Sequence, residues 1–286
     1  MNSRLAAIPR LSYALFAVYL ITMAIRSRSE TTAAIVASSL LMFAFCWANA
    51  SHLLGPRAAT GFVIVATALG WFAEQMGVSY GWFFGEYVYT DVLGWRLGDV
   101  PAVIPLMWFS LCYTGYVVSN LIVLQSPKHG SNRFTDVVFM SFLAAMIVTA
   151  FDLGADPYMV YQLKAWVMTK TDGGWFGETL QGFVGWVGVS FVILLSVRLF
   201  MQKQVLRPAG DFGKWHALMP LSLYASAMVF QVLVGHPLET RAIAVFAMGI
   251  PILCALAGWR RWRRLPATLP VISPVSSDRL AHMPYR

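Results

Sequence analysis

Two carboxylates set four residues apart, Asp152 and Asp156 in the stretch Phe151-Asp-Leu-Gly-Ala-Asp-Pro157, give this chain its clearest chance to do chemistry. On a helix that spacing puts both on one face. Two like charges held there, partly out of water, cannot both ionise cheaply, so one of the pair keeps its proton. A carboxylic acid that stays protonated near neutral pH is a general acid. The same residues have a structural reading, with Asp152 capping a helix end or pairing with Lys164 and Asp156 making an Asp-Pro turn. Three further acids belong with them: Glu74 at the end of an apolar run, and Glu86 and Asp91 just beyond it. Ionisable groups in or beside a membrane span are costly, and are functional candidates for that reason.

The second feature is aromatic. Between Glu74 and Pro105 the chain sets Tyr80, Trp82, Phe83, Phe84, Tyr87, Tyr89 and Trp95 among glycines, and Trp166, Gly173-Gly-Trp-Phe-Gly177 and Phe183-Val-Gly-Trp186 follow later. Such rings form either an interfacial belt or the lid or floor of a site for an apolar ligand. The candidate wall is Trp82, Phe84, Tyr87, Tyr89, Trp108, Trp166, Trp175 and Trp186. The candidate proton donor is the Asp152/Asp156 pair, with Glu74, Glu86 and Asp91 holding water or tuning the pair. Motifs for other chemistry are missing: no His-Glu-x-x-His, no paired-cysteine metal motif, no Gly-x-Gly-x-x-Gly, no P-loop and no Gly-x-Ser-x-Gly. Cys46, Cys112 and Cys254 lie far apart inside apolar runs and suggest no disulfide framework. Chemistry by carboxylates and aromatic walls remains, with no metal and no cofactor expected.

The elements that must position these residues are membrane helices. The chain of 286 residues is 58% hydrophobic and only 12% charged, with mean hydropathy +0.63. A soluble domain carries about 25% charge, so an all-α polytopic membrane protein is expected. A span needs about 20 mostly apolar residues. That ruler gives eight candidates, at 8–25, 32–54, 57–76, 101–124, 134–156, 180–201, 215–235 and 239–258. The aromatic, Gly-rich connection falls between spans three and four. Residues 1–264 read as a single helical domain, and 265–286 as a disordered basic tail rich in Pro and Ser. Arg4 and Arg10 ahead of Leu11–Ile25 resemble the start of a signal peptide, but no small-residue cleavage site follows, so a retained first span is expected.

Net charge is +8, yet the basic residues sit between apolar runs and at the ends, which argues for membrane topology and against nucleic acid. With eight spans, one side carries Arg26, Arg28, Arg96, Lys164, Lys170 and Arg241, and the other side carries the remaining fifteen of the 21 Lys and Arg. The positive-inside rule then puts both termini in the cytoplasm, in a multi-pass protein of the cytoplasmic (inner) membrane. Of the acids, only Asp136, Asp211 and Asp278 fall on the cytoplasmic side. The connections 77–100 and 157–179 share the opposite face, as a single acidic, aromatic mouth.

Those two connections carry a family resemblance. Glu74-x-x-Gly77-Val78, Phe84-Gly-Glu-Tyr-x-Tyr-Thr90, Leu93-Gly94, Val100-Pro101 with Ile104-Pro105 and Trp108, then Asp152, Asp156-Pro157, Trp166, Phe176-Gly177 and Phe183-x-Gly-Trp186 together resemble the integral-membrane carotenoid hydratase family. The resemblance covers about residues 40–200. Two positions depart from the family pattern: Glu178-Thr179 stands where a Gly-x-Pro is expected, and Gly182 where an Asn is expected. The resemblance implies water addition across the terminal double bond of an acyclic carotenoid end group, giving a tertiary alcohol. It also implies a carotenoid substrate within the bilayer, with membrane lipids and other carotenoid-pathway enzymes as partners. The residues suit that reaction independently, since it needs an acid, a cation-tolerant wall and one positioned water. Two other readings fit the same residues: a proton-initiated carotenoid cyclase, and a non-enzymatic carotenoid-binding membrane protein or transporter.

Overall fold

The computed structural model describes residues 3–127, 133–170, 173–202 and 213–264. The tail 265–286, expected to be disordered, and Asp211 of the charge argument lie outside them. Among the described residues eight helices are long and apolar enough to cross a membrane. They are α1 (Ser3–Arg26), α2 (Thr32–Leu54), α3 (Pro56–Tyr80), α4 (Val103–Val123), α5 (Phe134–Pro157), α6 (Leu180–Gln202), α7 (Met219–Val234, its span lengthened by the turn His216–Leu218) and α8 (Glu239–Arg264). The protein is all-α and multi-pass, with strands confined to the connections.

Local chemistry sets several helix ends. Thr31 caps α2, its Oγ1 accepting from the Ala34 N–H at 3.3 Å. Pro56 begins α3, where its missing N–H costs nothing. Gly81 ends α3 in left-handed geometry, φ +69°, donating its N–H to the Gly77 carbonyl at 2.8 Å. The helix therefore runs to Tyr80, four residues beyond the 76 that hydropathy suggests, and carries Glu74 well inside it.

Helix α4 is the centre of the bundle, with Trp108, Phe109, Tyr113 and Tyr116 all buried. Phe62 of α3 meets Phe109 and Tyr113 edge-on. The outer faces instead present apolar side chains such as Ile64, Phe246, Ile250 and Leu253, all exposed, as lipid-facing positions require.

Helix α5 does not stop in an Asp-Pro turn. It includes Pro157 and continues through a wide turn over Tyr158–Gln162. Proline has no N–H for the carbonyl four residues back, here that of Leu153. The Trp175 indole N–H donates to that carbonyl at 3.0 Å instead.

Beyond α3 and α5 the two connections meet. Strand β1 (Tyr87–Tyr89) pairs antiparallel with β4 (Trp166–Met168), Val88 opposite Val167. Between them in sequence, β2 (Arg96–Leu97) folds back on β3 (Val100–Pro101). Further bonds tie this roof down. Thr90 Oγ1 donates to the Lys164 carbonyl at 2.7 Å, Trp71 Nε1 donates to the Leu97 carbonyl at 3.0 Å, and Gln181 Nε2 donates to the Gly81 carbonyl at 2.8 Å.

Candidate active site

Under the β1–β4 roof lies a cavity of about 140 Å³, walled by α1, α2, α3, α4, α5, α7 and the first turns of α6. Its lining is mostly apolar and aromatic, but four carboxyl groups reach it: Glu74, Asp152, Asp156 and Glu178. All four are buried.

Glu74 is the most constrained. Tyr87 and Tyr89 both donate to its Oε2, the Tyr89 bond at 2.7 Å, and Trp108 Nε1 donates to its Oε1 at 2.9 Å. The two tyrosines come from alternate positions of β1, which point to one face of a strand. Burial first, and the charge of Glu74 second, push both phenols well above their ordinary 10, so both remain O–H donors. Three donors around one carboxyl make Glu74 an acceptor. The Trp108 indole fits there because Gly70 lies one turn earlier on the same face of α3. A Cβ at Gly70 would come within 2.6 Å of the indole.

The α5 pair is less constrained. Trp166 Nε1 donates to Asp156 Oδ1 at 3.1 Å. Asp152 is 2% exposed, and its Oδ2 has no hydrogen-bond partner among the described residues. Glu178, in the connection ahead of α6, shares that condition, with a buried, partnerless Oε2. Burial first, and the Asp156 charge second, push the Glu178 carboxyl up to about 9. A buried polar atom without a partner costs about 1–3 kcal/mol, so these two oxygens mark where a ligand or a water belongs.

The aromatic wall adjoins the carboxyls. Trp108 and Trp186 stack with centroids 4.5 Å apart and planes at 28°. Phe84 packs against both, at 6.0 and 6.2 Å, and Tyr89 meets Trp166 edge-on at 5.8 Å. Of the wall expected from sequence, Phe84, Tyr87, Tyr89, Trp108, Trp166 and Trp186 line the cavity.

The other candidates stand elsewhere. Trp82 is 53% exposed, and Trp175 serves the Leu153 carbonyl. Glu86 is exposed, out of phase by one residue with the inward-facing Tyr87 and Tyr89. Asp91 is fully exposed and ion-paired to Arg96 at 2.8 Å. Sequence reasoning missed Glu178 as a site group, along with Arg26 and Gln231, which also line the cavity. The available signal for Glu178 was its place two residues ahead of an apolar run, four before a glycine.

The carotenoid biosynthesis protein family matches residues 30–260, from just before α2 into α8. The chain belongs to that family. The chain is also similar to the bisanhydrobacterioruberin hydratase of Haloarcula japonica, 31% identical over 129 residues. That match takes in 44% of this chain and 41% of the relative, so the chain spans less than half the length of the curated relative. No solved structure matches this chain. As a member of a carotenoid biosynthesis family with eight apolar helices, it is a multi-pass membrane protein.

Proposed function

We propose that the protein is a hydro-lyase that adds water across the terminal double bond of an acyclic carotenoid end group, needing no cofactor. The observation that carries this reading is the partnerless buried oxygen of Asp152 in an apolar cavity beside the Trp108–Trp186 stack. Asp152 is the donor: its proton goes to the CH carbon of the trisubstituted alkene, the π bond breaks, and positive charge develops on the tertiary carbon. The rings of Trp108, Trp186 and Trp166 face that charge, each worth about 0.5–2 kcal/mol of cation–π attraction. Water held against Glu74 and Asp156 then forms the C–O bond, and the proton it sheds goes back to the Asp152 carboxylate, leaving a tertiary alcohol and the donor restored. Substrate and tertiary alcohol remain within the bilayer, where lipids and other carotenoid-pathway enzymes are the protein's partners.

The four carboxyl groups in the cavity favour hydration over cyclisation, because they can hold water that a cyclase must keep from the cation. A carotenoid's long axis is comparable to the hydrocarbon thickness of roughly 30 Å. A substrate lying along the helices therefore presents its end group beneath the roof. By the charge distribution, that roof faces away from the cytoplasm and both termini face into it, in the inner membrane.

The test is expression in a host that accumulates acyclic carotenoids, followed by pigment mass. A gain of one water per reacted end supports hydration. An isomer of unchanged mass would point to cyclisation, and unaltered pigment to binding or transport.

A further inference from the structure

We propose that Glu178 is a proton relay, taking up the proton shed by the captured water and returning one to Asp152. This role rests on the hydration reading above. Hydration consumes no net proton. The donor gives its proton to carbon as the π bond breaks, and the water loses one after its oxygen bonds to the tertiary carbon. The site is ready for another turnover only when a proton has travelled from the water's position back to the donor.

The geometry leaves two carboxyls free for that journey. Glu74 is held by three donors, and Asp156 by Trp166. Asp152 and Glu178 line the same cavity, and each keeps a buried oxygen without a partner. A protonated carboxyl can accept a proton on one oxygen while releasing the proton on its other, so a single side chain can bridge water and donor. Glu178 also comes from a different element than Asp152, the connection ahead of α6 rather than a membrane span.

The chain makes room for it. A Cβ at Gly182, in the first turn of α6, would stand 2.7 Å from Glu178 Oε1 and 3.1 Å from its Cγ. The carboxyl thus occupies the space that a side chain at 182 would fill. Gly182 and Glu178 are one arrangement: the small residue admits the large one. Burial, then the Asp156 charge, hold Glu178 protonated up to about pH 9, the resting form a relay needs.

The experiment compares wild type, Glu178→Gln, Glu178→Ala and Gly182→Ala as purified, detergent-solubilised protein mixed with an acyclic carotenoid. In Glu178→Gln the first turnover, one hydrated end per protein molecule, should survive, while steady-state turnover falls by about 10²-fold, within the range of a lost proton-transfer group. Added formate should restore steady-state turnover in Glu178→Ala and leave Asp152→Asn inactive. Gly182→Ala should slow the enzyme when Glu178 is present and change nothing further in Glu178→Gln. If a Glu178 variant fails to insert, the Gly182→Ala comparison with wild type decides, because the added methyl presses on the Glu178 side chain and on no backbone atom within its three nearest contacts. Wild-type turnover in Glu178→Gln or in Gly182→Ala, equal loss of first and later turnovers, or no rescue by formate would each overturn the relay. A wild-type protein that adds no water would instead overturn the hydration reading itself.

Discussion

Asp152→Asn is the most informative single change. Asparagine matches aspartate in shape, and the Asp152 Oδ2 has no hydrogen-bond partner to lose. The substitution therefore removes an acid and almost nothing else. At 2% exposure the residue sits where ionisable groups are costly, so the variant should insert and fold at least as well as wild type. A general acid typically contributes about 10²–10⁴ in rate. At about 1.4 kcal/mol per decade the expected barrier increase is roughly 3–5 kcal/mol. The measurement is hydrated carotenoid formed per unit of membrane-inserted protein, with bound carotenoid assayed in parallel from the absorbance that co-purifies. Binding should persist while hydration falls at least a hundredfold. Glu74→Gln provides the contrast, since it leaves the free acid in place but breaks the set of three donors at Tyr87, Tyr89 and Trp108. Full hydration in Asp152→Asn, with loss in Glu74→Gln, would refute the assignment of the donor and move it to α3.

Three further outcomes are expected. Trp186→Leu removes one face of the 4.5 Å stack while sparing the Trp108–Glu74 bond, and should slow hydration about 2–30-fold, the worth of one cation–π contact; unchanged turnover in both Trp186→Leu and Tyr87→Leu would remove the wall from the mechanism. Burial, and the Asp156 charge after it, push the Glu178 carboxyl up to about 9 from an ordinary 4.5, so the folded state holds a proton that the unfolded chain releases between those values. Stability should be full below about pH 4.5 and decline toward pH 9; thermal midpoints of detergent-solubilised protein should show this, more weakly in Glu178→Gln, and an identical slope in that variant would contradict it. Reporters fused after Arg264 and inserted within Gly94–Gly98 should report opposite sides of the membrane, the first cytoplasmic; a shared side would overturn the topology.

The helical part of the fold was legible because unbroken apolar runs longer than about 17 residues match the thickness of a bilayer and exceed what a buried core helix needs. Glu74 and the Asp152/Asp156 pair were legible for the complementary reason, that charge in such a run is conspicuous. The roof was not. Strands of three residues, Tyr87–Tyr89 and Trp166–Met168, carry no periodic signal, and their pairing joins segments far apart in sequence. Without that register, nothing distinguishes Glu86 from Tyr87. The pleat decides, turning Tyr87 and Tyr89 inward and Glu86 and Val88 out. Glu178 was hidden for a related reason: an acid in a glycine-rich connection reads as solvated until the fold buries it in the lining of the cavity.

The β1–β4 ribbon also makes the molecule a clasp between two halves. Helices α1–α4 with β1 carry Glu74 and the tyrosines that hold it, whereas α5–α8 with β4 carry Asp152, Asp156 and Glu178. Glu74 and the Asp152 donor thus belong to separate halves, and neither half owns all four carboxyls of the cavity. Three residue pairs of backbone, Tyr87 with Met168 through Tyr89 with Trp166, help set the span between them. A chain divided between α4 and α5 would keep every chemical group, and the packing of α4 on α5 and α8 together with that short ribbon would bring proton and water to the same double bond.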